Sequence, residues 1–148
     1  NKNLKKIICI DIPPVLYVQT VYLKKIYGDS VVDYNKVKNL DNFEFRNNDK
    51  LEILCIPPWF IQKIKNNSIN VLVNNNSFQE IDREVLKLLL KDIKPKLNKN
   101  FKFFFSFYFE KNLDNFLLFF QKILTNNSFS YKVKKDFIFD YECKIYSN

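Results

Sequence analysis

The sequence predicts an α/β fold built on one mostly parallel sheet with a single antiparallel strand near its C-terminal end. Short apolar runs alternate with helical segments along most of the chain, which is typical of a parallel sheet with helices on both faces. Two strand-like segments then follow each other at 129–139 and 141–146, which predicts an antiparallel pair. The 148 residues are 47% hydrophobic and 27% charged, a composition that suits a single globular domain.

The first half of the chain opens with a strand of the buried parallel type and a helix. The strand, residues 4–10, ends at Asp11. Pro13 and Pro14 suit the first turn of the helix, where a missing N–H has no cost, and Gly28 suits its end. Apolar residues recur at helical spacing between these two ends: Val15, Val18, Tyr22 and Ile26.

Three strands and a short helix follow. Residues 31–34 and 43–46 predict two short strands between asparagine-rich turns. Residues 51–56 predict a buried strand that Pro57 and Pro58 close, and residues 59–64 predict a short helix.

The second half continues the alternation. A strand at 69–73 precedes a helix at 85–93 that Pro95 ends. Phenylalanines alternate with period two over 101–109, which predicts a covered, central strand whose aromatic face is core rather than a platform for stacking bases. Residues 113–124 predict an amphipathic helix before the closing strand pair.

Polar side chains are concentrated directly after the strand at 69–73. They are Asn74, Asn76, Ser77, Gln79 and Glu80. Such a cluster is expected of a site at the carboxyl edge of an α/β sheet. A structural role is the alternative, because Ser77 and Glu80 fit a capping box, and Asp11 can likewise cap the helix that follows it.

Charge and cysteine content exclude several classes of function. The net charge is +8, but it is spread evenly, and arginine, the preferred residue for phosphate and guanine contacts, occurs only at Arg46 and Arg83. We therefore expect no specific nucleic-acid binding, although a basic RNA- or surface-binding domain stays open as a third interpretation. No apolar run is long enough to span a membrane. The cysteines are isolated and histidine is absent, so the sequence predicts no metal site, buried thiols and a cytoplasmic location.

Three stretches resemble one known family, the sugar O-methyltransferases, which belong to the S-adenosylmethionine-dependent Rossmann-like methyltransferases. IDIPPVLYVQTVYLKKIYG at 10–28 is similar to the family's strand ending in Asp-Leu-Pro and its helix with a Tyr-Leu pair. VNNNSFQEID at 73–82 is similar to its Asn-x-x-Ser-Phe-Gln-Glu-Met stretch, and IPPWF at 56–60 to its Pro-Trp segment. These stretches lie in the first two-thirds of the chain.

The resemblance implies a role for each candidate residue. Asp11 is expected to hold the ribose hydroxyls of S-adenosylmethionine, since a carboxylate accepts hydrogen bonds from both hydroxyls of a diol. Ile56 and Pro57 are expected near the adenine, and Asn74 near the transferring methyl group. The implied contacts to a sugar or glycan acceptor come from Asn76, Ser77 and Gln79. Glu80 is the candidate general base for the acceptor hydroxyl.

The resemblance also implies that a part of the family fold is absent. The family sheet has the order 3-2-1-4-5-7-6 and a glycine-rich loop after strand 1, but this chain has a single glycine, Gly28. Residues 1–148 are therefore expected to form one partial domain that starts at the second strand, with a preceding segment or a companion chain as partner. We expect this chain alone to be inactive. A non-catalytic remnant or partner subunit is the alternative, and an oligomer is compatible with either interpretation.

Overall fold

The chain forms two compact units, each with its own sheet. The computed structural model describes residues 4–75, 77–107, 113–124, 130–135 and 141–146. The first unit comprises Asn1–Lys65 and the second Asn66–Asn148. The expectation of one partial domain stays a prediction, and each unit is described by itself.

The first unit is a three-stranded parallel sheet. Its strands are β1 (Lys6–Ile10), β2 (Val31–Asp33) and β3 (Glu52–Ile56), in the order β1-β3-β2. All five residues of the central strand β3 are buried, as expected for an apolar run between two parallel neighbours. At its amino end, Glu52 is buried and accepts a hydrogen bond of 2.8 Å from the Lys6 ammonium.

Helix α1 (Pro13–Tyr27) has the predicted bounds. Its buried residues are Leu16 and Thr20, whereas the residues whose spacing indicated the helix are exposed: Val15, Val18, Tyr22 and Ile26. Apolar residues occur on every side of this helix, so their spacing indicates a helix without selecting its buried face. No helix in the described ranges is long and apolar enough to cross a membrane.

The segment between β2 and β3 contains less strand than predicted. Helix α2 (Tyr34–Val37) starts directly after β2. The predicted strand at 43–46 is a single bridge between Phe43 and Ile64. The predicted short helix after β3 is a 3₁₀ helix, Pro58–Lys63.

The second unit contains a four-stranded sheet and two helices. The strands are β4 (Ile69–Asn75), β5 (Leu97–Phe107), β6 (Ser130–Lys135) and β7 (Tyr141–Tyr146), and the helices are α3 (Arg83–Ile93) and α4 (Leu113–Leu124). The strand order is β4-β5-β7-β6. Strand β7 runs antiparallel to both of its neighbours, while β4 and β5 are parallel. One antiparallel strand in a mostly parallel α/β fold is therefore confirmed.

An aromatic cluster forms the core of the second unit. The Phe120 ring lies 5.6 Å from the Phe78 ring and 5.6 Å from the Phe103 ring, measured between centroids. Phe103 and Phe120 are fully buried and Phe101 is nearly so. Strand β5 lies between β4 and β7, which confirms the predicted central position. Phe109 lies outside the described residues.

Candidate functional site

The carboxyl edge of the first sheet brings together three of the predicted cofactor residues. Asp11 follows β1 directly, Ile56 ends β3, and the two strands are neighbours. The Asp11 N–H donates to the Ile56 carbonyl oxygen at 3.4 Å. Ile56 is fully buried and Pro57 is buried, whereas Asp11 is partly exposed. The Asp11 carboxylate therefore lies at the carboxyl end of β1, next to the buried, apolar end of β3.

The Asp11 carboxylate does not cap helix α1. Its Oδ1 accepts the Ile12 N–H at 2.8 Å, and Ile12 is the N-cap residue without a side-chain cap. Pro13 and Pro14 explain this result, because they lack two of the N–H groups that a cap would accept. The capping interpretation of Asp11 is wrong. Within the described part of the chain, its Oδ2 has no hydrogen bond and can accept one from a ligand.

The same edge carries an ion pair and an aromatic pair that the sequence analysis missed. The Lys24 ammonium donates to Asp33 at the end of β2 and holds the pKa of that carboxyl below its usual range. Asp33 also caps α2 by accepting the Lys36 N–H at 3.2 Å. Trp59 is 56% exposed, and its indole N–H donates to the Tyr34 hydroxyl at 3.3 Å. The Pro-Trp sequence after β3 was the available signal for the second pair.

The second unit places Asn74 at the centre of the predicted polar cluster. Its side-chain Oδ1 accepts from the Ser77 hydroxyl at 2.8 Å and from the Phe78 N–H at 3.1 Å. Because a backbone N–H can only donate, the amide orientation is fixed and Nδ2 points away from the turn. Asn74 is 4% exposed, and its Nδ2 is buried with no partner among the described residues. Such a donor is ready for an acceptor atom that the described chain does not supply.

The other members of the cluster lie on a 3₁₀ turn. The turn is Ser77–Glu80, with Gln79 partly exposed and Glu80 exposed. Asp82 caps α3 instead of Ser77, since its Oδ1 accepts the Glu84 N–H at 2.9 Å. The capping-box interpretation is therefore wrong, because the 3₁₀ turn delays the helix start.

The candidate residues fall into two groups. Asp11, Ile56 and Pro57 belong to the first unit, while Asn74, Ser77, Gln79 and Glu80 belong to the second. Asn76 lies outside the described residues.

Comparison with known proteins identifies the fold. No protein-family model and no curated protein matches the chain, but solved structures do. PigF with SAH matches 96% of this chain at a TM-score of 0.57 and 9% identity, and the chain spans 43% of that protein. A SAM-dependent methyltransferase from Archaeoglobus fulgidus matches 98% of this chain at a TM-score of 0.52 and 11% identity, with 87% of that protein covered. The chain therefore has the α/β Rossmann-like fold of the S-adenosylmethionine-dependent methyltransferases.

Proposed function

We propose that this chain is part of an S-adenosylmethionine-dependent O-methyltransferase that acts on a sugar or glycan hydroxyl. The observation that supports the proposal best is the Asp11 carboxylate, which lies beside Ile56 at the carboxyl end of a parallel sheet. Ligands of open α/β sheets bind at this end of the strands. The fold is shared with S-adenosylmethionine-dependent methyltransferases, which supports S-adenosylmethionine as the ligand of this edge.

The residues of the first unit fit the nucleoside half of the methyl donor. The Asp11 carboxylate is oriented by the Ile12 N–H and retains acceptor capacity for the ribose hydroxyls. Ile56 is fully buried and Pro57 is buried, so they shape this edge without exposing surface to the adenine ring. When bound, S-adenosylmethionine supplies an electrophilic methyl group.

The remainder of the donor site has to come from elsewhere. The single glycine of the chain, Gly28, has a φ of +54° and ends helix α1, and a Cβ built on it would meet nothing within 4 Å. Its glycine character therefore serves the backbone turn, where φ is positive. A glycine-rich cradle is a role for a partner segment, either a preceding part of the same protein or a companion chain.

Two unpaired strand edges support such a partner. In the described residues, β1 pairs only with β3, and β4 pairs only with β5. Both strands are largely apolar, and Val73 on β4 is 66% exposed. Proteins rarely leave long apolar edges open, because they template association with other strands. The same absence of a cradle also favours the second candidate, a non-catalytic partner subunit that retains this fold.

The second unit carries the proposed acceptor residues. Asn74, whose Nδ2 has no hydrogen-bond partner among the described residues, is proposed on the methyl-donor side of the site. Ser77 and Gln79 add hydroxyl and amide groups suited to a sugar acceptor. Glu80 is an exposed carboxylate on the same turn. A sugar hydroxyl becomes a good nucleophile only as its proton is removed, which is the role proposed for Glu80.

Calorimetric titration of the complete protein with S-adenosylhomocysteine tests the donor role. Asp11→Ala should weaken binding about tenfold, which corresponds to the loss of roughly one charge-assisted hydrogen bond. Asp29→Ala is the matched control, because it removes another carboxylate of the first unit. Residues 1–148 alone should not bind at micromolar affinity. Equal affinities of Asp11→Ala and Asp29→Ala would remove Asp11 from the site.

Turnover measurements with glycan acceptors test the base. Glu80→Gln should lower kcat by about 10²- to 10⁴-fold, the usual contribution of a general base, without changing the affinity for S-adenosylhomocysteine. Glu84→Gln, an exposed carboxylate at the start of α3, should leave both quantities unchanged. Wild-type turnover in Glu80→Gln would exclude Glu80 as the base.

The coding sequence upstream of Asn1 separates the enzyme from the non-catalytic partner subunit, since an apolar strand followed by Gly-x-Gly favours the enzyme.

A further inference from the structure

Two cysteines that are far apart in the sequence are direct neighbours in the first sheet. Cys9 on β1 is the register partner of Cys55 on β3, and both are free thiols. Neighbouring strands are about 4.8 Å apart, and a disulfide requires a Cα separation of roughly 4.4–6.8 Å. Paired residues of adjacent strands point to the same side of a sheet. The geometry therefore allows a disulfide without a change of register.

The two thiols differ in their access to solvent. Cys55 is fully buried in the cluster that contains Leu16 of α1, and Cys9 packs against that cluster. Cys9 is partly exposed, since it lies on the outer strand of the sheet. A small oxidant or reductant can thus reach the pair from the Cys9 side.

The pair is also polarised. The hydrogen bond between the thiols lowers the pKa of Cys55 to about 7, against the opposing effect of its burial. The nearby Lys24 ammonium favours the Cys55 thiolate further, while the Asp33 carboxylate opposes it. The same hydrogen bond raises the pKa of Cys9, which remains the proton-carrying thiol. A thiol of lowered pKa next to a second thiol is the arrangement that a nucleophilic and a resolving cysteine require.

We propose that Cys9 and Cys55 are a redox-active dithiol that a peroxide closes to a disulfide. The Cys55 sulfur attacks one oxygen of hydrogen peroxide, which forms an S–O bond, breaks the O–O bond and releases hydroxide. The Cys9 sulfur then attacks the Cys55 sulfur, so that an S–S bond forms as the S–O bond breaks. The departing hydroxyl takes the Cys9 proton. Two thiols and one peroxide thus yield one disulfide and two waters.

Peptide mapping of the folded wild-type chain tests the proposal directly. Trypsin releases Cys9 in peptide 7–24 and Cys55 in peptide 51–63. After hydrogen peroxide treatment and alkylation of the remaining thiols, these two peptides should be lost as separate alkylated species. They should reappear as one linked species that lacks two hydrogen atoms and separates with dithiothreitol. Separate peptides with both cysteines alkylated, or with Cys55 overoxidised and no link, would overturn the proposal.

Three controls assign the reaction to this pair. Cys143→Ser removes the remaining thiol and should leave the yield of the linked species unchanged. Oxidation in urea should spread the crosslinks over all three cysteines of the wild-type chain, so an identical pattern in folded and unfolded protein contradicts a preorganised pair. Cys9→Ala should stop the reaction at a Cys55 sulfenic acid that dimedone captures. If dimedone labels Cys9 in Cys55→Ala but does not label Cys55 in Cys9→Ala, Cys55 is not the attacking thiol.

Discussion

Removal of the Asn74 side chain is expected to destabilise the second unit by about 2 kcal/mol. Asn74 is 4% exposed, and its Oδ1 accepts the buried Phe78 N–H at 3.1 Å and the Ser77 hydroxyl at 2.8 Å. Taking the acceptor from a buried N–H costs about 1–3 kcal/mol. The Ser77 bond adds only a few tenths of a kcal/mol by comparison, because Ser77 is exposed and its hydroxyl can turn to water. Removal of the buried Nδ2, which has no hydrogen-bond partner among the described residues, offsets part of this loss of stability.

Urea unfolding of Asn74→Ala measures this effect. A loss of about 2 kcal/mol lowers the folded-to-unfolded ratio by roughly 30-fold and shifts the midpoint without changing the slope. Asn70→Ala is the matched control, because Asn70 is exposed on the same strand and should change stability by less than about 0.5 kcal/mol. If the two variants unfold at the same urea concentration, the hydrogen bonds that the Asn74 Oδ1 accepts do not stabilise the second unit.

Three further outcomes follow from the packing and the charges. Phe120→Ala should cost about 3–5 kcal/mol in thermal unfolding, whereas Leu118→Ala, at a position that is 51% exposed, should cost little; equal losses would contradict the aromatic core. Burial raises the pKa of Glu52, but the Lys6 ammonium outweighs burial, and the pKa is lowered. The ion pair between Lys6 and Glu52 therefore stabilises the fold above about pH 4.3, and this stabilisation is lost as the pH falls through the folded pKa. Glu52→Gln should therefore flatten the acid dependence of urea unfolding, and an unchanged dependence would exclude the ion pair. Alkylation of Cys55 should be much slower in the folded chain than in the urea-unfolded chain, because the folded side chain is fully buried, and equal rates would contradict that burial.

The order of strands and helices was largely predictable because local patterns determine it. The apolar run of β3 ends at two prolines that cannot continue a strand. The alternating phenylalanines predicted a covered, central strand, and Phe101 and Phe103 are indeed buried on β5, which lies between β4 and β7. The antiparallel pairing of β6 with β7 likewise followed from two strand patterns in immediate succession.

The features that were missed depend on contacts between distant residues. The inner face of α1 could not be selected because Leu16 and Val18 are equally apolar, and only the sheet beneath the helix decides between them. The pairing of Cys9 with Cys55 requires the register of β1 on β3, which no local pattern encodes. The hydrogen bond from the Phe78 N–H to the Asn74 Oδ1 could not be predicted either, since every residue type except proline carries a backbone N–H donor.

The position of β7 has a consequence for biosynthesis. Strand β7 follows both β5 and β6 in the chain but lies between them in the sheet, so neither can complete its pairing until Tyr141–Tyr146 has left the ribosome. The phenylalanine-rich strand β5 is made well before its partner, and it presents an apolar, unpaired edge during that interval. Nascent chains of this protein should therefore depend on chaperones until β7 is released. Ribosomes stalled before Tyr141 should hold an aggregation-prone intermediate.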